Sequence, residues 1–118
     1  MTPSPDSRRS VITELFRESL AGLGKEGRLL TVEYGPGVHT PPHRHPGSLF
    51  VYVLAGKVVS QMEGSPPREY SQGEFWFEAE DCFHLDADND TNAPAKILVF
   101  YLTEPGNRML VFEDGTSV

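Results

Sequence analysis

Short apolar runs alternate with Gly- and Pro-containing breaks along almost the whole chain. Arg28–Tyr34 reads as a strand closed by Gly35-Pro36-Gly37. Leu49–Leu54 is the strongest strand signal, and its near-continuous apolar run predicts burial on both faces. Lys57–Met62 follows Gly56 as the return arm of a hairpin and stops at the turn Gly64-Ser65-Pro66-Pro67. Phe75–Phe77 predicts a short, aromatic, buried strand, Lys96–Leu102 a long apolar one, and Met109–Phe112 a last one. Residues 11–23 fit two periods. Positions 12, 15, 16, 20 and 23 form a helical stripe, whereas the β-branched start suits a strand running into a turn at Gly22–Gly24. Extended chain is the preferred reading. Residues 1–10 are polar and proline-containing and predict a flexible N-terminal tail, leaving 11–118 as a single domain. Many short strands with turns about every 8–12 residues predict an all-β sandwich or barrel.

A chain of 118 residues suffices for one domain around one core, and its ten prolines and eleven glycines suit many turns. A net charge of −7 without any Lys/Arg cluster speaks against nucleic acid as a partner. No apolar run approaches the roughly 18 residues that span a bilayer, and the N-terminus lacks the basic-then-apolar pattern of a secretory signal. The single cysteine, Cys82, excludes an internal disulfide. Together these features predict a cytoplasmic protein with no membrane partner. Residues 69–95 carry eight carboxylates and no Lys or Arg, either a solvated acidic face or a negative rim that attracts cations.

Candidate chemistry rests on the histidines. In an extended strand His43-Arg44-His45 aims both imidazoles at one face, and His84 on a neighbouring strand closes a cluster. Imidazole is a common ligand of first-row transition metals, so His43, His45 and His84 are the candidate ligands of iron, nickel, copper, manganese or zinc. His39 shares their parity, but Pro41-Pro42 interrupts the register, and its plainer reading is a loop histidine at the barrel mouth. Cys82 shares the parity of His84, although a free cysteine is more often a small buried hydrophobe. Glu78, six residues before His84, is either a strand-end surface residue or a carboxylate that joins the site. By alternation Arg44 points away from the interior. Phe50, Tyr52, Phe75, Trp76, Phe77, Phe83, Phe100 and Tyr101 divide between core and subunit interface. Some of them, with Leu49 and Met62, are expected to wall a pocket for a small, partly apolar ligand.

The two histidine windows resemble the two motifs of small single-domain bacterial cupins, the cupin 2 conserved barrel of the jelly-roll superfamily. In the first motif Gly37, His43, His45 and Gly56 fall at the family spacing, with Leu49 at the position of its glutamate. In the second, Gly73 and His84 fit, while Ala79 stands for the proline, Asp81 for the glycine and Asp88 for the asparagine, with Asn89 next to it. The resemblance covers about residues 28–103. It implies a double-stranded β-helix, or jelly roll, whose metal set is reduced to His43, His45 and His84. It also implies a homodimer, for which the segments 11–20 and 109–112 are candidates. Three neutral imidazoles leave a divalent ion its full charge and suit a substrate that brings its own negative charge. Several cupin dioxygenases are similar in using three histidines. The resemblance therefore implies a metal-dependent dioxygenase or related oxidoreductase acting on a small chelating substrate, with Glu78 or a metal-bound water as base. The alternative, favoured by the missing glutamate, is a non-catalytic cupin that binds a metal or small molecule as a sensor or accessory protein. Metal-independent sugar isomerisation is a third reading.

Overall fold

The computed structural model describes residues 10–118, so residues 1–9 of the expected tail lie outside the described part. The strands are β1 (Val11–Leu20), β2 (Lys25–Tyr34), β3 (His39–Thr40), β4 (His43–Arg44), β5 (Ser48–Ala55) and β6 (Lys57–Met62). They continue with β7 (Arg68–Ser71), β8 (Phe75–Glu78), β9 (Phe83–Asp88), β10 (Ala95–Thr103) and β11 (Val111–Phe112). One antiparallel sheet has the order β1-β2-β10-β5-β8, and the other β11-β4-β9-β6-β7, with β3 also paired to β9. The fold is an all-β jelly roll.

The ambiguous segment at 11–23 is extended. β1 pairs with β2 from Val11↔Glu33 to Leu20↔Lys25, and a bulge between Glu14 and Phe16 resets its facing. A short 3-10 turn, Ala21–Leu23, and Gly24 at φ 65° connect the two strands. The ladder along β2 satisfies backbone groups over the whole segment, and this tertiary pairing decides between the two periods.

Leu30 and Val32 of β2, Leu49, Val51 and Val53 of β5, and Ile97, Val99 and Tyr101 of β10 point between the sheets and form the core. Their neighbours alternate outward, which corrects two expectations. The apolar run in β5 is buried on one face only, with Phe50 and Tyr52 exposed. In β8 Phe75 is 72 % exposed and Phe77 54 %, while Trp76 and Glu78 turn inward. The period of two governs both strands, and no described element covers the outer face of their sheet.

Two residues hold the connections in place. Gly56 sits at φ 73°, and a Cβ there would stand 2.6 Å from the Pro94 carbonyl oxygen, so the motif glycine is required by both conformation and space. Asn89 is fully buried; its amide donates to the carbonyls of Tyr34, Gly35 and Ala93, and its oxygen accepts from the Thr91 amide and hydroxyl. It fastens the loop after β9 to the end of β2.

Candidate metal centre

Pro41-Pro42 separates β3 from β4, and the chain resumes pairing at His43, which lies directly opposite His84 on β9. Directly paired residues project to the same face, so both imidazoles enter the interior together. His45 follows β4, and its carbonyl accepts from the Asp81 amide at 2.8 Å, tying it to the turn between β8 and β9. Asp81 stands at φ 59° where the cupin motif has glycine; aspartate is among the residues that tolerate this region. The altered turn thus keeps the backbone shape of the motif. Glu78 is paired directly with Leu49 across β8 and β5. It is 3 % exposed and points into the same interior as the histidines, which rules out a strand-end surface residue.

The outer nitrogen of each imidazole has a partner. His43 Nδ1 donates to the Pro41 carbonyl and His45 Nδ1 to the Met109 carbonyl, each at 2.7 Å. A carbonyl oxygen only accepts, so both neutral rings carry their proton on Nδ1 and leave a lone pair on Nε2. Those two Nε2 atoms face each other at 3.1 Å with no proton between them. His84 Nε2 shares a 2.8 Å hydrogen bond with Ser60 Oγ, which turns His84 Nδ1 toward Glu78 Oε1 at 3.2 Å. Glu78 Oε1 also lies 3.5 Å from His45 Nε2, while Glu78 Oε2 accepts from the Trp76 indole at 2.8 Å. The 3.2 Å contact is off-axis: Glu78 Oε1 and His84 Nδ1 are both buried without a well-aligned hydrogen bond.

The electrostatics follow from burial. Desolvation, reinforced by the neighbouring His45 and His84, lowers the pKa of His43 to about 3, and the Pro41 carbonyl and Glu78 offset only part of this. Burial likewise lowers His45. For Glu78 burial pushes upward, but the contacts with His84 and His45 and the Trp76 indole outweigh it and bring the carboxyl down to about 2. Neutral imidazoles beside an ionised carboxylate are the protonation states that metal binding requires.

One ligand atom from each of His43, His45 and His84 lies within 4.8 Å of the others, close enough to hold a single ion. A cation would relieve the facing lone pairs and satisfy the orphaned atoms, and the outer partners orient the rings as second-sphere groups do at metal sites. The residues therefore fit a divalent transition metal. The adjoining cavity has a volume of about 30 Å³, room for water-sized groups, and is walled by Tyr34, Leu49, Trp76 and Met109 among others.

The other candidates lie apart from this cluster. His39, on β3, is exposed, and its Nδ1 is 3.1 Å from Asp88 Oδ1. Cys82 is half-buried in the turn before β9, and neither it nor Met62 lines the cavity. Arg44 points outward as expected, donating to the Asp81 carbonyl and lying over the Phe83 ring. Sequence reasoning missed the orienting roles of Trp76 and Ser60. Trp76 shares a strand face with Glu78, two residues on, which is a usable signal; nothing local to Ser60 points to His84.

A cupin-domain family model (Cupin_2) matches residues 30–101, and the chain belongs to that family. It is 26 % identical over 108 residues to germin-like protein subfamily 2 member 4 of Arabidopsis thaliana, covering 86 % of this chain and 49 % of the relative. The chain thus spans about half the length of that curated relative. Among solved structures it resembles the DMSP lyase DddQ from Ruegeria pomeroyi DSS-3, with a TM-score of 0.77 and 23 % identity over 97 % of this chain and 56 % of that one. It also resembles a recombinant oxalate oxidase in complex with glycolate, with a TM-score of 0.72 and 24 % identity over 92 % of this chain and 57 % of that one. At these identities the structural likeness establishes the fold.

Proposed function

We propose that this cupin is a metal-dependent enzyme, an oxidoreductase of the dioxygenase type. His43, His45, His84 and Glu78 together hold its ion, and its substrate is a small chelating anion. The observation that carries the reading is the pair of Nε2 lone pairs facing at 3.1 Å beside a buried carboxylate oxygen without an aligned partner. Glu78 takes over the charge that the motif's glutamate supplies elsewhere in the family, from the strand position paired with Leu49. With its Oε2 held by Trp76 and its Oε1 toward two imidazoles, Glu78 is better placed as a ligand than as a base. When bound, the ion supplies Lewis acidity and, for iron, copper or manganese, a redox couple. The chain's own residues fix the ligands, and the apolar walls formed by Leu49, Val51, Ile97 and Val99 exclude bulk water. A cavity of about 30 Å³ suits a compact substrate, in keeping with the two-carbon acids named for the oxalate oxidase structure.

Elemental analysis of tag-free protein tests the proposal. Near-stoichiometric metal is expected in the wild type, with loss in His43→Ala and at least a tenfold weaker affinity in Glu78→Gln. Oxygen uptake by the loaded protein with oxalate, glycolate and catechol separates enzyme from binder. Metal binding without turnover would favour the second reading, a non-catalytic metal-binding cupin, which the small closed cavity supports. Protein that refuses every metal on reconstitution would end both.

A further inference from the structure

The outer face of the β1-β2-β10-β5-β8 sheet carries apolar rows that no described part of the chain covers. Phe16, Leu29, Phe100, Phe50 and Phe77 are successive directly paired positions, so one row crosses all five strands. Leu98, Tyr52 and Phe75 form a second row beside it. Phe50 packs against Phe77 and Phe100 with ring centroids 5.1 and 6.1 Å apart. Even so Phe16, Phe50, Phe75 and Phe77 each remain more than half exposed. At about 200 Å² per ring, the six aromatic residues of the two rows leave roughly 600 Å² open, before Leu29 and Leu98 are counted. This reaches the upper end of the largest apolar patch on ordinary monomers, about 300–600 Å², and approaches the ~800 Å² per partner of a stable interface.

We propose that this face is the contact surface of a homodimer, two copies packing sheet against sheet about a twofold axis. An isologous contact requires one patch to complement itself, and rows of rings separated by shallow grooves can interdigitate as the inner faces of a sandwich do. The rows contain no charged residue, so the −7 of each copy lies away from the contact. That same charge opposes docking on an anionic lipid surface. Residues 1–9 offer Met1, Pro3 and Pro5 as their only apolar side chains, too few to cover the face. Of the two terminal segments expected to pair copies, β1 contributes Phe16 to this face, whereas β11 belongs to the other sheet. The inference is independent of the metal reading.

Sedimentation equilibrium of the full chain at up to about 100 μM tests it. The expected mass is twice 13.1 kDa, or about 26 kDa, for the wild type. A Phe50→Glu, Phe77→Glu double variant is expected at 13.1 kDa, with unchanged circular dichroism and metal content. Should that variant not fold, Phe75→Ser, at the most exposed ring, is expected to weaken dimerisation at least tenfold. A monomeric wild type, or a double variant that folds and stays dimeric, overturns the proposal. So does a monomeric wild type that co-sediments with phosphatidylcholine vesicles, which would assign the face to a membrane surface.

Discussion

Each imidazole of the cluster is held by its outer nitrogen, and this leaves the inner nitrogens only one productive state. His43 and His45 have given their Nδ1 protons to backbone carbonyls, so a cation is the natural occupant of the space between their Nε2 atoms. Glu78 is positioned in the same manner by the Trp76 indole. Trp76→Phe keeps the aromatic bulk and removes the N–H. It is expected to weaken metal binding about 10- to 100-fold in a chelator competition, with little change in the far-ultraviolet spectrum. Unchanged affinity would show that the indole does not orient a ligand. At this scale the three histidines were readable, because His-x-His in an extended chain forces a common face. Glu78 was only half readable: its parity was suggestive, but its nearness to His84 and His45 depends on how β8 lies against β5.

Strands were placed well by the alternation of apolar runs and breakers, from β2 through β10. Their burial was less legible. A run such as Leu49–Leu54 looks the same whether both faces are covered or only one, and the answer lies in what packs outside the sheet. The connections carry their own energetics. Asn89 is buried and satisfies three carbonyls of the strand end and loop. Asn89→Ala leaves those acceptors unpaired and is expected to destabilise the fold by about 2–3 kcal/mol in urea unfolding. A loss below about 0.5 kcal/mol would mean that water replaces the amide without cost.

The molecule as a whole should be acid-sensitive when stripped of metal. His43 titrates at about 3 in the folded state against 6.5 ordinarily, so below about 6.5 the unfolded chain takes up a proton that the folded one refuses. Glu78, held at about 2 against 4.5, adds stability that is complete above 4.5 and lost as pH falls toward 2. Both effects have the same sign. Thermal midpoints of chelator-treated protein should be level between about pH 7 and 8 and fall steadily below about 6.5. A midpoint unchanged down to about pH 4 would contradict the buried, neutral state of His43.

The sequence by itself determined the barrel and the three histidines, because the period of two, the glycine turns and the His-x-His spacing are properties of neighbours along the chain. Only the tertiary structure decided which carboxylate meets them. Position 49, where the motif carries glutamate, is leucine, and strand pairing sets Glu78 directly beside it. The aromatic residues were divided in the same way: Trp76 and Tyr101 turn inward, while Phe50, Phe75, Phe77 and Phe100 line an outer face. Register between strands distant in sequence is fixed by hydrogen-bond pairing and by the fit of the whole core, and no local pattern of residues encodes it.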